Sequence, residues 1–354
     1  MNVPAALKSI TSHGLVGAQP ASSEAGDLSL EQEAELLRQI HRHRLGGVGV
    51  RALEAGTLGL SDDSAAALIE QHDAAMSASL RIEIEMLSLS SLLSDRGIDH
   101  RLLKGAALAH GYGADPADRP FRDVDLLIRG SDIDRAVEVL TRAGGERLIE
   151  ELRPGFDRRF GKSVTMRRNG VEIDLHRLLA WGPFGVFMHP QDLFVLPSSV
   201  RIGAREVPTL SPTDHLLHAC LHVALGQVEP ALINCRDIAL LSRSTIDWDR
   251  FIETVERWKC APAIRRAFAA TARSVSVELG LPDALSEMLE AADPAADQAA
   301  LAPYVVSGDR YKAMARSMLG VLPPADRVPF AIAVGLPAGT SIRDRAKEAF
   351  KKAR

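Results

Sequence analysis

The sequence predicts an α+β protein, in which a mixed sheet with its own helices is flanked by helical regions on the N- and C-terminal sides. Apolar residues recur three and four positions apart early in the chain and again beyond Pro208, which is the period of amphipathic helices. Between these regions, FRDVDLLIRG alternates as a strand does. Asn169 and Gly170 separate two further alternating segments, which indicates a hairpin because both turn positions need positive φ.

The first 92 residues divide into an arm and a helical region. Residues 1–28 are rich in Ala, Ser, Gly and Pro, which is typical of a weakly ordered N-terminal arm. Residues 29–92 include LEQEAELLRQIHRHRL, which starts at Leu30, and keep the helical period, so we expect a helical N-terminal subdomain.

Residues 93–205 are expected to form the α/β core. HRLLKGAALAHGYG indicates a short strand, a Lys-Gly turn and a helix, and the strand FRDVDLLIRG follows after a loop. The spacing of Ser131 and Asp134 is typical of a capping box before the next helix. SVTMRR and VEIDLHRLL then flank the Asn-Gly turn, which predicts that they form an antiparallel pair.

Helical periodicity returns in the last part of the chain. Ser211 provides a cap residue, Pro212 lies at the first helical position, and Asp214 places an acid in the first turn. We expect residues 206–295 to form a helical domain and residues 296–354 a C-terminal helical extension. The closing segment SIRDRAKEAFKKAR is rich in Lys and Arg, which predicts a solvated helix or a frayed tail.

Composition narrows the functional classes. A chain of 354 residues with 46% hydrophobic content can bury at least one sizeable core. A net charge of −4 provides no global field that recruits nucleic acid or an anionic membrane. Only 5% of the residues are aromatic and no basic stripe interleaves with them, so general nucleic-acid binding is not predicted.

The same features predict a cytoplasmic protein. Cys220, Cys235 and Cys260 are far apart and lack CxxC spacing, so they form neither a disulfide framework nor a zinc module. The N-terminus is a poor secretory signal, and no segment approaches the roughly 18 apolar residues of a membrane span. We therefore expect a reducing compartment and no membrane partner.

Asp123 and Asp125 are the first candidates for chemistry. Residues two apart in a strand share a face, so the two carboxylates lie side by side and repel each other. Oxygen ligands of this kind suit Mg²⁺, which also keeps water and substrate phosphate oxygens. The alternative is an acidic pair on a solvent-facing strand edge. The apolar residues after Asp125 favour a buried strand, where two carboxylates without a counter-charge would be costly.

The hairpin offers a third carboxylate. Glu172, Asp174 and His176 share one face of their strand by the same period of two. Asp174 is the candidate metal ligand and Glu172 the reserve. His176 either positions a phosphate or an acceptor, or serves as a structural hydrogen-bonding partner of the acids.

Basic residues upstream are candidates for phosphate binding. Lys104 and Gly105 lie where a strand turns into a helix, and a glycine there lets backbone N–H groups approach phosphate oxygens. The alternative is an ordinary strand-to-helix turn with a solvated lysine. Arg119 and Arg122 either contact phosphates or pair with the acids that precede them, Asp115 and Asp118.

Three histidines compete as a metal site. His215, His218 and His222 lie near one face of a helix, but the glutamate that a zinc protease needs after the first histidine is Leu216. We interpret them as satisfied polar groups that meet a neighbouring helix, with Asp237 as their partner and His222 nearest the cleft. The chain also lacks a G-x-S-x-G elbow, a GxxxxGK[ST] loop and a GxGxxG fingerprint.

Six segments resemble, in their order and spacing, the uncharacterised bacterial nucleotidyltransferases of the DNA polymerase beta-like superfamily. They are LLKGAALAHGYG, RDVDLLI, VEIDLHRLL, LSPTDHLLHACLHVAL, RDIALL and IDWDRF. The resemblance covers about residues 81–289. In that superfamily a Gly-Ser turn holds the triphosphate, and a DxD strand with a third carboxylate binds two Mg²⁺ ions. The reaction moves a nucleotidyl group to an acceptor and releases pyrophosphate.

The resemblance implies a polymerase-beta-like nucleotidyltransferase core in this chain. It implies that Lys104 and Gly105 form the phosphate turn and that Asp123, Asp125 and Asp174 hold the metal ions. The expected function is Mg²⁺-dependent transfer from a nucleoside triphosphate to an unknown acceptor, which is a small molecule, a peptide or a protein. The superfamily's serine after the glycine is Ala106 here. The alternative is therefore a non-catalytic member that binds a nucleotide or a partner in the same cleft.

Overall fold

A computed structural model describes residues 2–18, 28–113, 115–306 and 308–335 of the chain. The N-terminal part is helical, and its second helix begins with a capping box formed by Ser29 and Gln32. The described helices of this part are α1 (Val3–Ser12), α2 (Leu30–His43), α3 (Gly46–Glu54) and α4 (Asp62–Asp95).

The arm expected for residues 1–28 contains a packed helix, which corrects part of that prediction. Ala6, Leu7 and Ile10 of α1 are buried and share a core cluster with α2 and α3. The side chain of Asn2 caps the helix by accepting a hydrogen bond from the backbone of Ala5. The alanine-rich composition was misleading because alanine is also the best helix former. Residues 19–27 of the arm lie outside the described residues.

The centre of the fold is a mixed five-stranded sheet with the order β1-β2-β5-β4-β3. Strands β2 and β5 pair in parallel, whereas the other neighbours are antiparallel. The predicted α+β fold with a mixed sheet is therefore confirmed. The strands are β1 (His100–Leu102), β2 (Val124–Ile128), β3 (Glu146–Arg147), β4 (Ser163–Arg168) and β5 (Val171–His176).

The predicted hairpin between β4 and β5 is confirmed. Asn169 has a φ of 51° and Gly170 a φ of 78°, as a two-residue turn of this kind requires. Arg168, at the end of β4, forms a buried ion pair with Glu85 of α4. The hairpin is therefore held against the long helix.

Short helices connect the strands of the core. The capping box expected from Ser131 and Asp134 does not form, because Ser131 lies in a 3₁₀ turn and Asp132 occupies the cap position without a side-chain hydrogen bond. These elements are α5 (Lys104–Gly111), α6 (Ile133–Arg142), α7 (Phe156–Arg159) and α8 (Pro183–Val186), followed by the hairpin of β6 (Ser199–Ile202) and β7 (Arg205–Pro208).

Helices form most of the remaining residues that the structure describes. Ser211 caps α9 by accepting a hydrogen bond from the backbone of Asp214, as predicted. The described helices are α9 (Pro212–Leu225), α10 (Leu232–Leu241), α11 (Trp248–Arg257), α12 (Ala261–Ser274), α13 (Asp283–Glu290), α14 (Pro294–Val305), α15 (Arg310–Val321) and α16 (Pro324–Gly335). Among the described residues, no helix has both the length and the apolar character needed to cross a membrane. The basic tail lies outside the described residues, and the division of the chain into five regions stays a prediction.

Strand β2 is covered on both faces of the sheet. Leu126 and Ile128 belong to the core cluster that includes α4 and α6, whereas Leu127 belongs to the cluster that includes α9 to α12. Because side chains alternate along a strand, Asp125 faces the same side as Leu127. The sheet therefore directs Asp125 towards the C-terminal helices.

Candidate functional site

The register of the sheet brings two predicted metal ligands together. Asp125 of β2 pairs with Asp174 of β5, and paired residues of neighbouring strands point to the same face. A ligand atom from each of Asp125, Asp174 and His176 lies within 4.8 Å of the others. Asp123 lies one residue before β2, on the same side as Asp125 by alternation. Oxygen and nitrogen ligands at this separation can hold a divalent cation.

Two basic groups contact the same oxygen of Asp125. Lys104 Nζ lies 3.0 Å from Asp125 Oδ1, and His176 Nε2 lies 2.7 Å from it. Burial by itself would raise the pKa of Asp125, but the charges and hydrogen bonds of Lys104 and His176 outweigh it. The pKa of Asp125 therefore lies well below its usual value, and the group is a carboxylate at neutral pH.

The Lys-Gly turn is strained and closely packed. Lys104 has a φ of 31°, and Gly105 has a φ of 39° and a ψ of −119°. Residues that carry a side chain rarely adopt positive φ angles. The preceding residue, Leu103, donates a backbone hydrogen bond of 2.9 Å to the carbonyl oxygen of Asp125. The turn is thereby fixed against β2. Burial lowers the pKa of Lys104, but the negative charges of Asp125 and Asp123 raise it by more.

Asp123 carries the unbalanced charge of the site. The negative charge of Asp125, followed by burial, raises the pKa of Asp123 to about 6. The positive charges of Lys104 and Arg44 act in the opposite direction but do not cancel this effect. The basic residues around the carboxylates therefore leave part of the negative charge uncompensated.

Asp174 is held by a neighbour on β4. Thr165 Oγ1 donates a hydrogen bond of 2.6 Å to Asp174 Oδ1 across the hairpin. The reserve candidate, Glu172, precedes the part of β5 that pairs with β2, which begins at Ile173. Burial, followed by the charge of Asp174, raises the pKa of Glu172. The register therefore favours Asp174 over Glu172 as the partner of Asp125.

His176 is completely buried against Asp125. Burial, followed by the charge of Lys162, lowers the pKa of His176, which favours a neutral ring. Because a carboxylate only accepts, Nε2 donates the hydrogen bond to Asp125. Among the described residues, Nδ1 of His176 has no hydrogen-bond partner. This arrangement favours the structural alternative for His176 over direct contact with a phosphate.

The two arginines lie in different environments. Arg119 is buried and donates two hydrogen bonds of 2.8 Å to the carboxylate of Asp237, and a third of 3.3 Å to the carbonyl oxygen of Gly105. The alternative pairing of Arg119 with Asp118 or Asp115 does not form, because Arg119 pairs with Asp237 and Asp118 pairs with a different arginine, Arg51, at 2.7 Å. Arg119 therefore supports the Lys-Gly turn. Arg122 is exposed next to Asp123.

The histidines of α9 line a second side of the site. Together with Lys104 they border a small cavity of about 10 Å³, which is at the lower limit of the space that one water molecule needs. His215 contacts Thr209 Oγ1 at 2.8 Å, and burial lowers the pKa of His215 to about 3. Burial, followed by the charge of Lys104, holds the pKa values of His218 and His222 well below the usual value. Asp237 borders the same cavity, but its carboxylate accepts hydrogen bonds from Arg119, and among the described residues no hydrogen bond joins it to these histidines.

Sequence reasoning missed two cations near the carboxylates. Lys162 precedes β4. Burial lowers the pKa of Lys162 overall, whereas the negative charges of Asp174, Asp125 and Asp123 raise it by less. Arg44 ends α2 and donates a hydrogen bond of 2.8 Å to Asn234. Neither residue belongs to a motif, so only the strand register and the packing of α2 reveal them.

Comparison with known proteins identifies the family. Residues 29–275, more than half of the chain, match the model of a family described as uncharacterised nucleotidyltransferase. The chain is also similar to a crystal structure of an antigenic nucleotidyltransferase-like protein from Paracoccidioides brasiliensis, with 17% identity and a TM-score of 0.33. That similarity covers 60% of this chain and 92% of the other. No curated protein matches. The chain belongs to the uncharacterised nucleotidyltransferase family.

Proposed function

We propose that this protein is a Mg²⁺-dependent nucleotidyltransferase, which moves a nucleotidyl group from a nucleoside triphosphate to an acceptor and releases pyrophosphate. The observation that carries the proposal is the pairing of Asp125 with Asp174 on adjacent parallel strands. The Lys-Gly turn lies at the same place, because the side chain of Lys104 contacts Asp125. Membership of a nucleotidyltransferase family supports the reaction type.

The chemistry of the ligands fits Mg²⁺. Asp123, Asp125 and Asp174 provide carboxylate oxygens, which are the ligands that Mg²⁺ prefers. The raised pKa of Asp123, about 6, reflects negative charge that the neighbouring basic residues do not balance. A divalent cation would balance this charge. We propose that the three carboxylates hold two Mg²⁺ ions together with the phosphates of the nucleotide.

Different residues of the site have different roles in the transfer. When bound, Mg²⁺ would supply positive charge to the phosphate oxygens and lower the pKa of the attacking group. Lys104 and the backbone of Gly105 hold the phosphates at the start of α5. Asp174 accepts the proton of the acceptor, whose oxygen forms a bond to the α-phosphorus. The bond from that phosphorus to the bridging oxygen breaks, and pyrophosphate leaves with the electron pair.

The surrounding residues orient these groups. His176 fixes Asp125, and Thr165 fixes Asp174 through its hydroxyl group. Arg119 supports the turn by donating a hydrogen bond to the carbonyl oxygen of Gly105. Arg122, which directly precedes Asp123, is an exposed cation available to an anionic ligand of the site. We also propose a cytoplasmic location, which is compatible with three cysteines that are free and buried.

Label transfer tests this function. The protein is incubated with Mg²⁺, each of four α-labelled nucleoside triphosphates, and mixtures of small molecules and peptides as acceptors. We expect a labelled product and released pyrophosphate with the wild type and with Glu172→Gln. Asp125→Asn and Asp174→Asn are expected to abolish both signals. Equal product from all four proteins would contradict the assignment of the site.

A second candidate is a non-catalytic protein that binds the nucleotide in the same cleft. Ala106 favours it, because this buried residue has no hydroxyl group to bond a phosphate. Tight binding of a nucleoside triphosphate, without pyrophosphate release in any acceptor mixture, would support this candidate. Ala106→Ser is the matched variant, since it adds only the missing hydroxyl group.

A further inference from the structure

A second cavity lies beside the carboxylates. It has a volume of about 250 Å³ and is bordered by α2, α3, α4 and residues 120–122. We call it the Arg44 pocket. Its apolar wall includes Ile40, Ala75, Ala78 and Phe121. Its size admits a small organic molecule and excludes a folded partner.

The charged residues that line the Arg44 pocket are basic. Among the described residues that line it are Arg44 and Arg122, and none of its lining residues is acidic. The ring of His72 also borders it, and His72 Nδ1 is buried without a hydrogen-bond partner in the described part of the chain. Arginine side chains bind carboxylates and phosphates with paired hydrogen bonds. The pocket therefore suits a ligand that combines an anionic group with an apolar part.

Phe121 connects this pocket to the phosphate turn. Its backbone is held twice by Ser79 Oγ, at 3.1 Å from the nitrogen and 3.2 Å from the oxygen. A Cβ atom placed on Gly105 would lie 3.4 Å from the Cβ atom of Phe121. Phe121 thus borders the pocket and also lies close to the turn. Arg122, at the mouth of the pocket, directly precedes Asp123.

We propose that the Arg44 pocket binds the acceptor of the transfer, and that this acceptor is a small organic anion with an apolar or aromatic part. This inference rests on the proposed function. Arg44 and Arg122 bind its carboxylate or phosphate, while Ala75 and Ala78 contact its apolar part. The nucleotide then occupies the turn close to Phe121, so the two ligands bind at the same time.

Benzoate and its uncharged analogue benzamide are suitable probes. Binding to the full chain is followed by ligand-observed NMR, with and without a non-hydrolysable ATP analogue and Mg²⁺. We expect benzoate to bind about tenfold more tightly than benzamide, because a charge-assisted contact is lost in the amide. Benzoate binding is expected to persist when the ATP analogue is bound.

Substitutions locate the probe. Ala75→Leu fills the pocket, and Arg122→Gln removes one of its cations. Each is expected to weaken benzoate binding about tenfold or more. Ala66→Leu is the matched control on an exposed position of the same helix, α4, and is expected to leave binding unchanged. Circular dichroism verifies folding, and the exposed Arg122 provides a test that does not depend on how α4 tolerates the larger side chain.

Four results would overturn the proposal. The proposed ligand class is wrong if benzoate does not bind. The proposed site is wrong if neither pocket variant weakens the binding of benzoate. Displacement of benzoate by the ATP analogue would instead assign the pocket to the nucleotide. Benzoate binding without any binding of the ATP analogue would contradict the nucleotidyltransferase proposal, and with it the acceptor role, while the anion site itself would stand.

Discussion

Asp125 and Asp174 lie directly opposite each other on two parallel strands that are far apart in sequence. A third residue, Thr165 of β4, pairs with Asp174 from the other side and donates a hydrogen bond to it. Three strands therefore define the position of the carboxylates before any ligand binds. This relationship leads to predictions that separate the metal ligands from the residues that support them.

Removal of the hydroxyl group of Thr165 should weaken metal binding without unfolding the protein. Thr165→Val keeps the shape of the side chain but leaves Asp174 without its donor. Groups that orient metal ligands typically contribute a factor of about 10 to 100 in metal affinity. We expect a loss of that size in Mg²⁺ titrations by calorimetry. Thr141→Val is the control, because its hydroxyl group bonds only within an exposed turn of α6; equal losses in both variants would contradict the role of Thr165.

Metal affinity should depend on pH through Asp123. The pKa of this group is raised to about 6 in the fold, and Mg²⁺ requires the carboxylate form. We expect the affinity to be full above pH 7 and to fall about tenfold for each pH unit below the pKa. Asp123→Asn should bind Mg²⁺ more weakly and lose this dependence. A wild-type affinity that stays constant between pH 7 and pH 5 would be inconsistent with the raised pKa.

The same shift has an effect on stability. A carboxyl group whose pKa is higher in the folded protein than in the unfolded chain favours the folded state when protonated. Without metal, this group should therefore lower the free energy of unfolding as the pH rises from about 4 to about 6. Urea unfolding of the wild type and of Asp123→Asn measures the difference. The prediction is contradicted if the free energy of unfolding of the wild type rises relative to that of Asp123→Asn over this pH range.

Arg119 should be structurally important, although it lies next to a candidate active site. Arg119→Ala leaves the buried carboxylate of Asp237 without its two hydrogen bonds. Breaking a buried ion pair in this way costs about 3–5 kcal/mol. Urea unfolding should show a loss of this size. The exposed neighbour Arg122 is the control, and Arg122→Ala is expected to change stability by less than about 0.5 kcal/mol.

Gly105 should not tolerate a side chain. Gly105→Ala must keep a positive φ of 39° and place a Cβ atom close to Phe121. Strain of this kind costs about 1–3 kcal/mol, and the backbone that faces the phosphates would shift. We expect thermal unfolding at a lower temperature and weaker nucleotide binding. Gly59→Ala is the matched control, since a Cβ atom there meets nothing within 4 Å; a similar loss at both positions would exclude a special role for the turn.

Local patterns predicted much of the fold. The turn at Asn169 and Gly170 and the cap at Ser211 depend on residues only a few positions apart, so the sequence reveals them directly. The pairing of β2 with β5 has no local signal, and alternation alone left Glu172 beside Asp174 as an alternative. The register decides between them.

Contacts between distant residues were harder to predict. Arg119 and Asp237 are 118 positions apart, and their pairing depends on how α10 packs against the core. The charges of Lys162 and Arg44 interact with the carboxylates, although neither residue belongs to a recognisable motif. The helix α1 was missed because its alanines are compatible with both an arm and a helix. In each case tertiary packing determines the structure, and a short sequence pattern does not record it.

Metal-dependent nucleotide binding tests the central claim most directly. A non-hydrolysable ATP analogue is titrated into the wild type, Asp125→Asn and Glu172→Gln by calorimetry, each with Mg²⁺ and again with EDTA. We predict binding by the wild type and by Glu172→Gln only when Mg²⁺ is present, and a loss of about a hundredfold or more in Asp125→Asn. Binding that is the same in EDTA, or unchanged by Asp125→Asn, would contradict the assignment of the carboxylates as the metal and nucleotide site.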